Sequence, residues 1–153
     1  MLKTIPKSLL TWNCDLKDNY YTVGNLEFSL FKKTGKIITP NFEYRIRYKG
    51  LLAPKFFLYN SDFRLGYAQQ LNSLVRVFNL NYGQNKYQLK PASPLSKKFI
   101  LQQKKRTIGE IYPKNLLARQ AIIDLPTNLP LEFQGFVTWM VLWFWRQGER
   151  NLT

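Results

Sequence analysis

The chain of 153 residues contains no histidine. That removes the side chain that most often serves as a general base near neutrality, and with it Ser-His-Asp and Cys-His nucleophiles and most zinc chemistry. Cysteine occurs once, at Cys14, so neither a disulfide framework nor a cysteine zinc cluster can form, and a reducing compartment, the cytoplasm, is the expected home. Acids are scarce and scattered, nine in all. Asp15 and Asp18 come closest to a pair, at a spacing that suits loop capping better than a catalytic dyad. The glycines build no phosphate-cradling motif, because Gly24, Gly35, Gly50 and Gly83 stand singly and read as turn residues. These absences argue against an enzyme and predict no metal and no cofactor. The opening MLKTIPKSLLTW is interrupted by Pro6 and Lys7 and offers no small-residue cleavage site, so it does not read as a secretory signal.

A membrane-spanning run is also missing. The most apolar stretch is GFVTWMVLWFWRQ, in which nine of the ten residues from Phe136 to Trp145 are apolar. From Leu131 to Trp145 a helix reaches about 22 Å, whereas a bilayer core needs about 20 residues and 30 Å. The stretch therefore reads as a core helix over about residues 129 to 147, with no transmembrane span expected. Thr127 or Asn128 can cap its start, Pro130 suits the first turn, Glu132 meets the positive end of the helix dipole, and Arg146 and Gly148 mark its end.

What is present is apolar, aromatic and basic. Hydrophobic residues make up 45% and aromatics 16%, enough for one folded core. Residues 1 to 18 read as an N-terminal lead-in, and residues 19 to 153 as a single domain. From Tyr20 onward, short segments rich in β-branched and aromatic residues alternate with turn signals about every ten residues, the pattern of an all-β sandwich or barrel. In FEYRIRY, Phe42, Tyr44, Ile46 and Tyr48 share one face while Glu43, Arg45 and Arg47 share the other. LVRVFNLNY alternates less cleanly, as if both faces were partly covered.

A helix apolar on every side must be enclosed on every side. The only other material in this chain is strand. The expected fold is therefore mainly β, an antiparallel β-barrel wrapped around a buried hydrophobic C-terminal α-helix, with Phe136, Trp139, Met140, Trp143 and Phe144 on the helix as core.

The residues that close the chain resemble a known family. IGEIYPKN, then ARQAIIDLPTNLPLEFQGFVTWMVLWFWRQ, is similar to the closing signature of the tubby-like superfamily, which includes tubby C-terminal domains, phospholipid scramblases and LURP-one-related proteins. The matching pieces are Ile108, Gly109 and Ile111, then Ile122 to Leu125, Pro126, Leu129, and the helix from about Leu131. The resemblance implies a twelve-stranded barrel around that helix and favours lipid as ligand over nucleic acid. No tubby headgroup residue can be carried over, because no motif here aligns with those positions.

Lys and Arg outnumber Asp and Glu by 23 to 9, a formal charge of +14, which bounds the partners to anionic ones. The basic residues cluster at Lys32, Lys33 and Lys36, at Arg45, Arg47 and Lys49, and at Lys97, Lys98, Lys104, Lys105 and Arg106. The last group brackets FILQQ, which predicts a β-hairpin with Lys104, Lys105 and Arg106 at its tip. Such cations suit phosphate, each contributing about 1 kcal/mol near an anionic bilayer. The expected function is thus a non-enzymatic binding module acting peripherally at an anionic membrane surface or on phospholipid headgroups. Two alternatives stand beside it, an accessory subunit docked on an acidic protein complex and a nucleic-acid-binding domain. The second is disfavoured because the outward residues that the alternation assigns show no systematic pairing of aromatics with cations.

Overall fold

The structure, a computed structural model, describes residues 1–29, 31–50, 52–115 and 119–151, the last two by backbone only. Twelve strands follow one another in chain order: β1 (Leu2–Pro6), β2 (Cys14–Asp18), β3 (Tyr21–Ser29), β4 (Thr34–Ile38), β5 (Glu43–Lys49), β6 (Lys55–Asn60), β7 (Phe63–Asn72), β8 (Val75–Tyr82), β9 (Asn85–Pro91), β10 (Phe99–Gln103), β11 (Arg106–Pro113) and β12 (Ala121–Asp124). Among the described residues one helix, α1 (Leu131–Asn151), follows the strands. Each strand runs antiparallel to the next, and β12 pairs with β1 through Leu2↔Ile123 and Lys3↔Ile122. The sheet is a closed barrel and leaves no edge.

Residues 1 to 18 are therefore not a lead-in. They supply β1 and β2, and β1 is the strand that closes the barrel. Buried Thr4 fixes the seam, its Oγ1 accepting from the Ala121 amide at 2.8 Å.

With strands about 4.8 Å apart and tilted by about 40°, twelve of them enclose a circle about 24 Å across, which leaves room for a helix about 11 Å wide and one layer of side chains. Helix α1 fills that space. Phe133, Phe136, Val137, Trp139, Met140 and Val141 are wholly buried. Its rings meet the wall in opposite directions: Trp139 lies flat on Phe28 of β3 at 4.7 Å, Phe144 meets Phe78 of β8 and Phe99 of β10, and Phe133 meets Tyr82 and Tyr87. The Trp139 indole also donates to the Glu27 carbonyl at 2.9 Å. Trp143 is partly buried, packed edge-on against Tyr48 and Phe56, and its Nε1 is enclosed without an acceptor among the described residues.

The helix differs from expectation at both ends. It starts at Leu131, and the Pro130 carbonyl, not Thr127 or Asn128, accepts from the Phe133 and Gln134 amides. It runs through Gly148 to Asn151 instead of stopping near residue 147. Two glycines read as turns also lie inside strands, Gly24 in β3 and Gly35 in β4. Gly35 is there because a Cβ at this position would run into the Trp139 indole. Among the described residues no helix is long and apolar enough to cross a membrane.

Inward and outward residues sort as the alternation requires. Tyr44 and Ile46 of β5 are buried while Arg45 and Arg47 face out; Phe42, just before the strand, is 54% exposed and does not join the inner row. In β8, Phe78 and Leu80 point inward and Asn79 and Asn81 outward. Lysine, arginine and amide side chains interrupt the outer wall on the successive strands β4 to β9, with Lys36, Arg45, Lys55, Gln69, Asn79 and Gln88 among them, so the described residues of these strands form no continuous apolar band.

Candidate functional site

An up-and-down barrel has two rims. The loops β2–β3, β4–β5, β6–β7, β8–β9 and β10–β11, together with the segment between β12 and α1, lie at one rim, where the helix enters; we call this the lower end. The loops β1–β2, β3–β4, β5–β6, β7–β8, β9–β10 and β11–β12 lie at the upper end, where the helix emerges. Two contacts fix the helix direction. Near the lower end the Tyr82 hydroxyl donates to Glu132 at 2.6 Å, and at the upper end the Trp145 indole donates to the Lys97 carbonyl at 2.9 Å.

The predicted basic residues fall in three separate places. Lys104 and Lys105 form the two-residue turn between β10 and β11, both with positive φ, 51° and 65°, and Arg106 opens β11, so the expected hairpin tip exists at the lower end. Lys97 and Lys98 precede β10 at the upper end, one strand length or about 17 Å away. The two halves of that cluster do not form one site. Lys98 is also engaged, paired with Glu110 at 3.3 Å and lying 5.6 Å from the Tyr112 ring centre.

The third place is the outer wall of β4 to β7. Register sets Lys36 opposite Arg45 and Thr34 opposite Arg47, and with Lys32 these residues line a surface groove of about 270 Å³. Glu43 holds Lys36 at 2.8 Å, a bond that pushes the amine up and the carboxyl down from their ordinary values. Lys49 ends β5 opposite Lys55. Next to this groove the wall carries rings: Phe57 of β6 lies 5.2 Å from Tyr67 and 6.4 Å from Tyr59. Arg47 sits over Tyr59 at 5.8 Å, and Arg64 over both Phe57 and Tyr67 at 5.9 Å. The wall thus does pair aromatics with cations, contrary to the sequence reading. KFFLYN is apolar on both faces, so its alternation hid Phe57 and Tyr59. The usable signal was that both faces carry rings while the neighbouring strand turns arginines outward.

The rims differ in charge. Asp18, Glu43, Asp62, Asp124 and Glu132 lie at or beside the lower end. The described loop residues of the upper end include no acid at all and carry Lys7, Lys32, Lys33, Lys97, Lys98, Lys114 and Arg119. Acids reach these loops from neighbouring elements: Glu149 of the helix is tied to Arg119 at 3.3 Å, Glu110 of β11 holds Lys98 and Asp15 of β2 faces Lys7.

Burial, with Asp15 beside it, pushes the Cys14 thiol up to about 12, so it is not a thiolate nucleophile near neutrality. Asp15 pairs loosely with Lys7 at 4.0 Å. Arg76 donates to the Pro94 and Ser96 carbonyls and covers Phe99, holding the β9–β10 loop against the upper rim. Among the described residues no three acids or thiols gather in a metal-binding group. Comparisons with family models, with curated proteins and with solved structures find no match to this chain. The fold and its surface define a closed antiparallel barrel wound on a hydrophobic helix, with a cationic outer wall and one rim whose described loop residues carry cations and no acid.

Proposed function

We propose that the protein is a non-enzymatic binding module that docks peripherally on an anionic membrane surface, at the cytoplasmic face where its single thiol stays reduced. The observation that carries this reading is the distribution of charge around the barrel, with cations and no acid on the described upper loops, while the lower end mixes Asp18, Glu43 and Asp62 with Lys104, Lys105 and Arg106. An excess of cations at one rim orients the molecule in the field of an acidic bilayer, and each cation near that surface contributes about 1 kcal/mol. The groove between Lys36 and Arg47 adds donors for headgroup phosphates. The similarity of residues 108 to 147 to the tubby-like closing signature supports the same choice, and we propose membership of that superfamily on the sequence motif together with the twelve-stranded barrel. Co-sedimentation with phosphatidylcholine vesicles, with and without phosphatidylserine, tests it. Binding should require the acidic lipid and fall steeply with salt; absence from acidic vesicles at low salt overturns it.

A second reading has its own observation. The row of Phe57, Tyr59 and Tyr67 under Arg47 and Arg64 suits single-stranded nucleic acid, whose bases stack on rings while the backbone meets arginines. It predicts a single-strand affinity that falls log-linearly with salt and is lost in Phe57→Ala/Tyr67→Ala. A flat electrophoretic-shift titration at low salt removes it. Docking on an acidic protein complex is the remaining alternative, and co-purification from the native source addresses it.

A further inference from the structure

The exposed apolar side chains are not scattered. Leu9 and Leu10 of the β1–β2 loop are 91% and 98% exposed, Leu52 of β5–β6 80%, Leu74 of β7–β8 92% and Leu95 of β9–β10 96%. Phe31 of β3–β4, fully exposed, joins them. Every exposed leucine among the described residues lies at or beside the upper end, on four separate loops. The lower end has exposed rings instead, Tyr20, Tyr21, Phe42 and Phe63, with Asp18, Glu43 and Asp62 beside them. Single surface leucines need no explanation, but a ring of them on successive loops of one rim does.

We infer that the upper rim is the face that meets the bilayer, and that its loop tips, chiefly Leu9, Leu10, Phe31, Leu52 and Leu95, enter the boundary between headgroups and acyl chains. This rests on the membrane reading above and adds to it an orientation and a mode of insertion. Two features select lipid as the occupant. The tips are fingers on separate loops, spread around a rim about 24 Å across, and a fluid layer fills the spaces between such fingers where a rigid partner would touch only their ends. The charge around them is complementary to acidic lipid. Lys7 flanks the first pair, Lys32 and Lys33 follow Phe31, Lys55 follows the Leu52 loop, and Lys97 and Lys98 follow Leu95. Apolar tips with cations just behind them are the arrangement of an interfacial anchor, in which the amines stay at phosphate level as the leucines go below it. The barrel then stands on the membrane with its axis close to the normal and its lower end, where Asp18, Glu43 and Asp62 mix with Lys104, Lys105 and Arg106, away from the surface.

The protein offers a convenient way to test this. Cys14 is 2% exposed and its thiol is held protonated, so a cysteine introduced at the surface can be labelled in the otherwise unchanged chain. An environment-sensitive fluorophore would be attached at Leu95→Cys, at Leu52→Cys and, at the opposite rim, at Asp62→Cys. On phosphatidylcholine/phosphatidylserine vesicles the first two probes should shift to the blue and be quenched by lipids labelled in the shallow acyl region, while the Asp62→Cys probe stays in water. Removing the fingers in Leu9→Ser/Leu10→Ser/Leu52→Ser should weaken vesicle binding by about tenfold or more, most visibly at high salt where the cations are screened, with the unfolding midpoint unchanged because these side chains are exposed. Vesicle binding with dry contact at Asp62→Cys, or with both upper probes left in water, overturns the inference while leaving the docking function standing. Binding that survives loss of the leucines at every salt concentration does the same. A vesicle-free dimer that buries the Leu95→Cys probe assigns the rim to a second copy and overturns the inference. Absence of any binding to acidic vesicles removes the function and this orientation together.

Discussion

Gly35 and Trp139 lie 104 positions apart in the chain, yet the fold brings the wall so close to the helix here that a Cβ at position 35 would run into the indole. The indole lies over β4, stacked on Phe28, with its N–H given to the Glu27 carbonyl. A methyl group at position 35 has nowhere to go but into that ring. Gly35→Ala is therefore expected to lower stability by about 1–3 kcal/mol, the usual cost of overpacking a filled core. Urea denaturation followed by tryptophan emission measures it, and an unchanged midpoint would mean that the Trp139 ring can move aside. In the sequence this glycine reads as a turn because the residue it accommodates is far away in the chain. By contrast, the outward direction of Arg45 and Arg47 is legible, since it depends only on the period-two alternation of their own strand.

At the scale of the element, the β10–β11 hairpin was legible in position and in length, because FILQQ and TIGEIY flank a short charged segment. What the sequence hid is the strain of its turn. Lys104 and Lys105 both sit at positive φ, where a side chain costs about 1 kcal/mol and asparagine or glycine is at ease. Lys104→Asn/Lys105→Gly should raise stability by about 1 kcal/mol, read as a higher denaturation midpoint. The same variant should leave vesicle binding nearly intact, because this tip lies at the lower end; a large loss of binding would move the membrane contact to the hairpin. Strand β1 shows the opposite case. Its five residues, LKTIP, include a proline and only weak alternation, and its pairing with β12 joins residues more than a hundred apart. Nothing local marks it as the strand that closes the barrel.

For the whole molecule, the core contains ionisable groups that the fold keeps neutral. Burial, with Asp15 second, raises Cys14 from its ordinary 9.0 to about 12. Tyr82 is raised by burial and by its bond to Glu132, and Tyr44 and Tyr87 are raised mainly by burial. In the unfolded chain these groups ionise at their ordinary values, so the stability they contribute is fully present below about pH 9 and is lost as pH climbs through the raised values in the fold. The denaturation midpoint should hold from neutrality to about pH 9 and then fall, and Tyr82→Phe and Cys14→Ala should each flatten that fall. A midpoint level through the tyrosine range would show that these groups ionise as readily in the barrel as outside it.

The sequence by itself determined the inventory and the periods. It set the absence of histidine, the excess of cations, the alternation that turns arginines outward, and an apolar helix of about 22 Å, too short for a bilayer and too greasy for water. From these the barrel around a helix follows, because a helix apolar all round must be enclosed and strands were the only material to do it. Tertiary structure alone decided which loops share a rim. Loop neighbours around a barrel lie about twenty residues apart in the chain, and no local period connects them. The antiparallel succession of strands puts Leu9, Leu52 and Leu95 on one rim with lysines behind them and sends Lys104 and Lys105 to the other, and closure through β1 and β12 bends that row of loops into a ring.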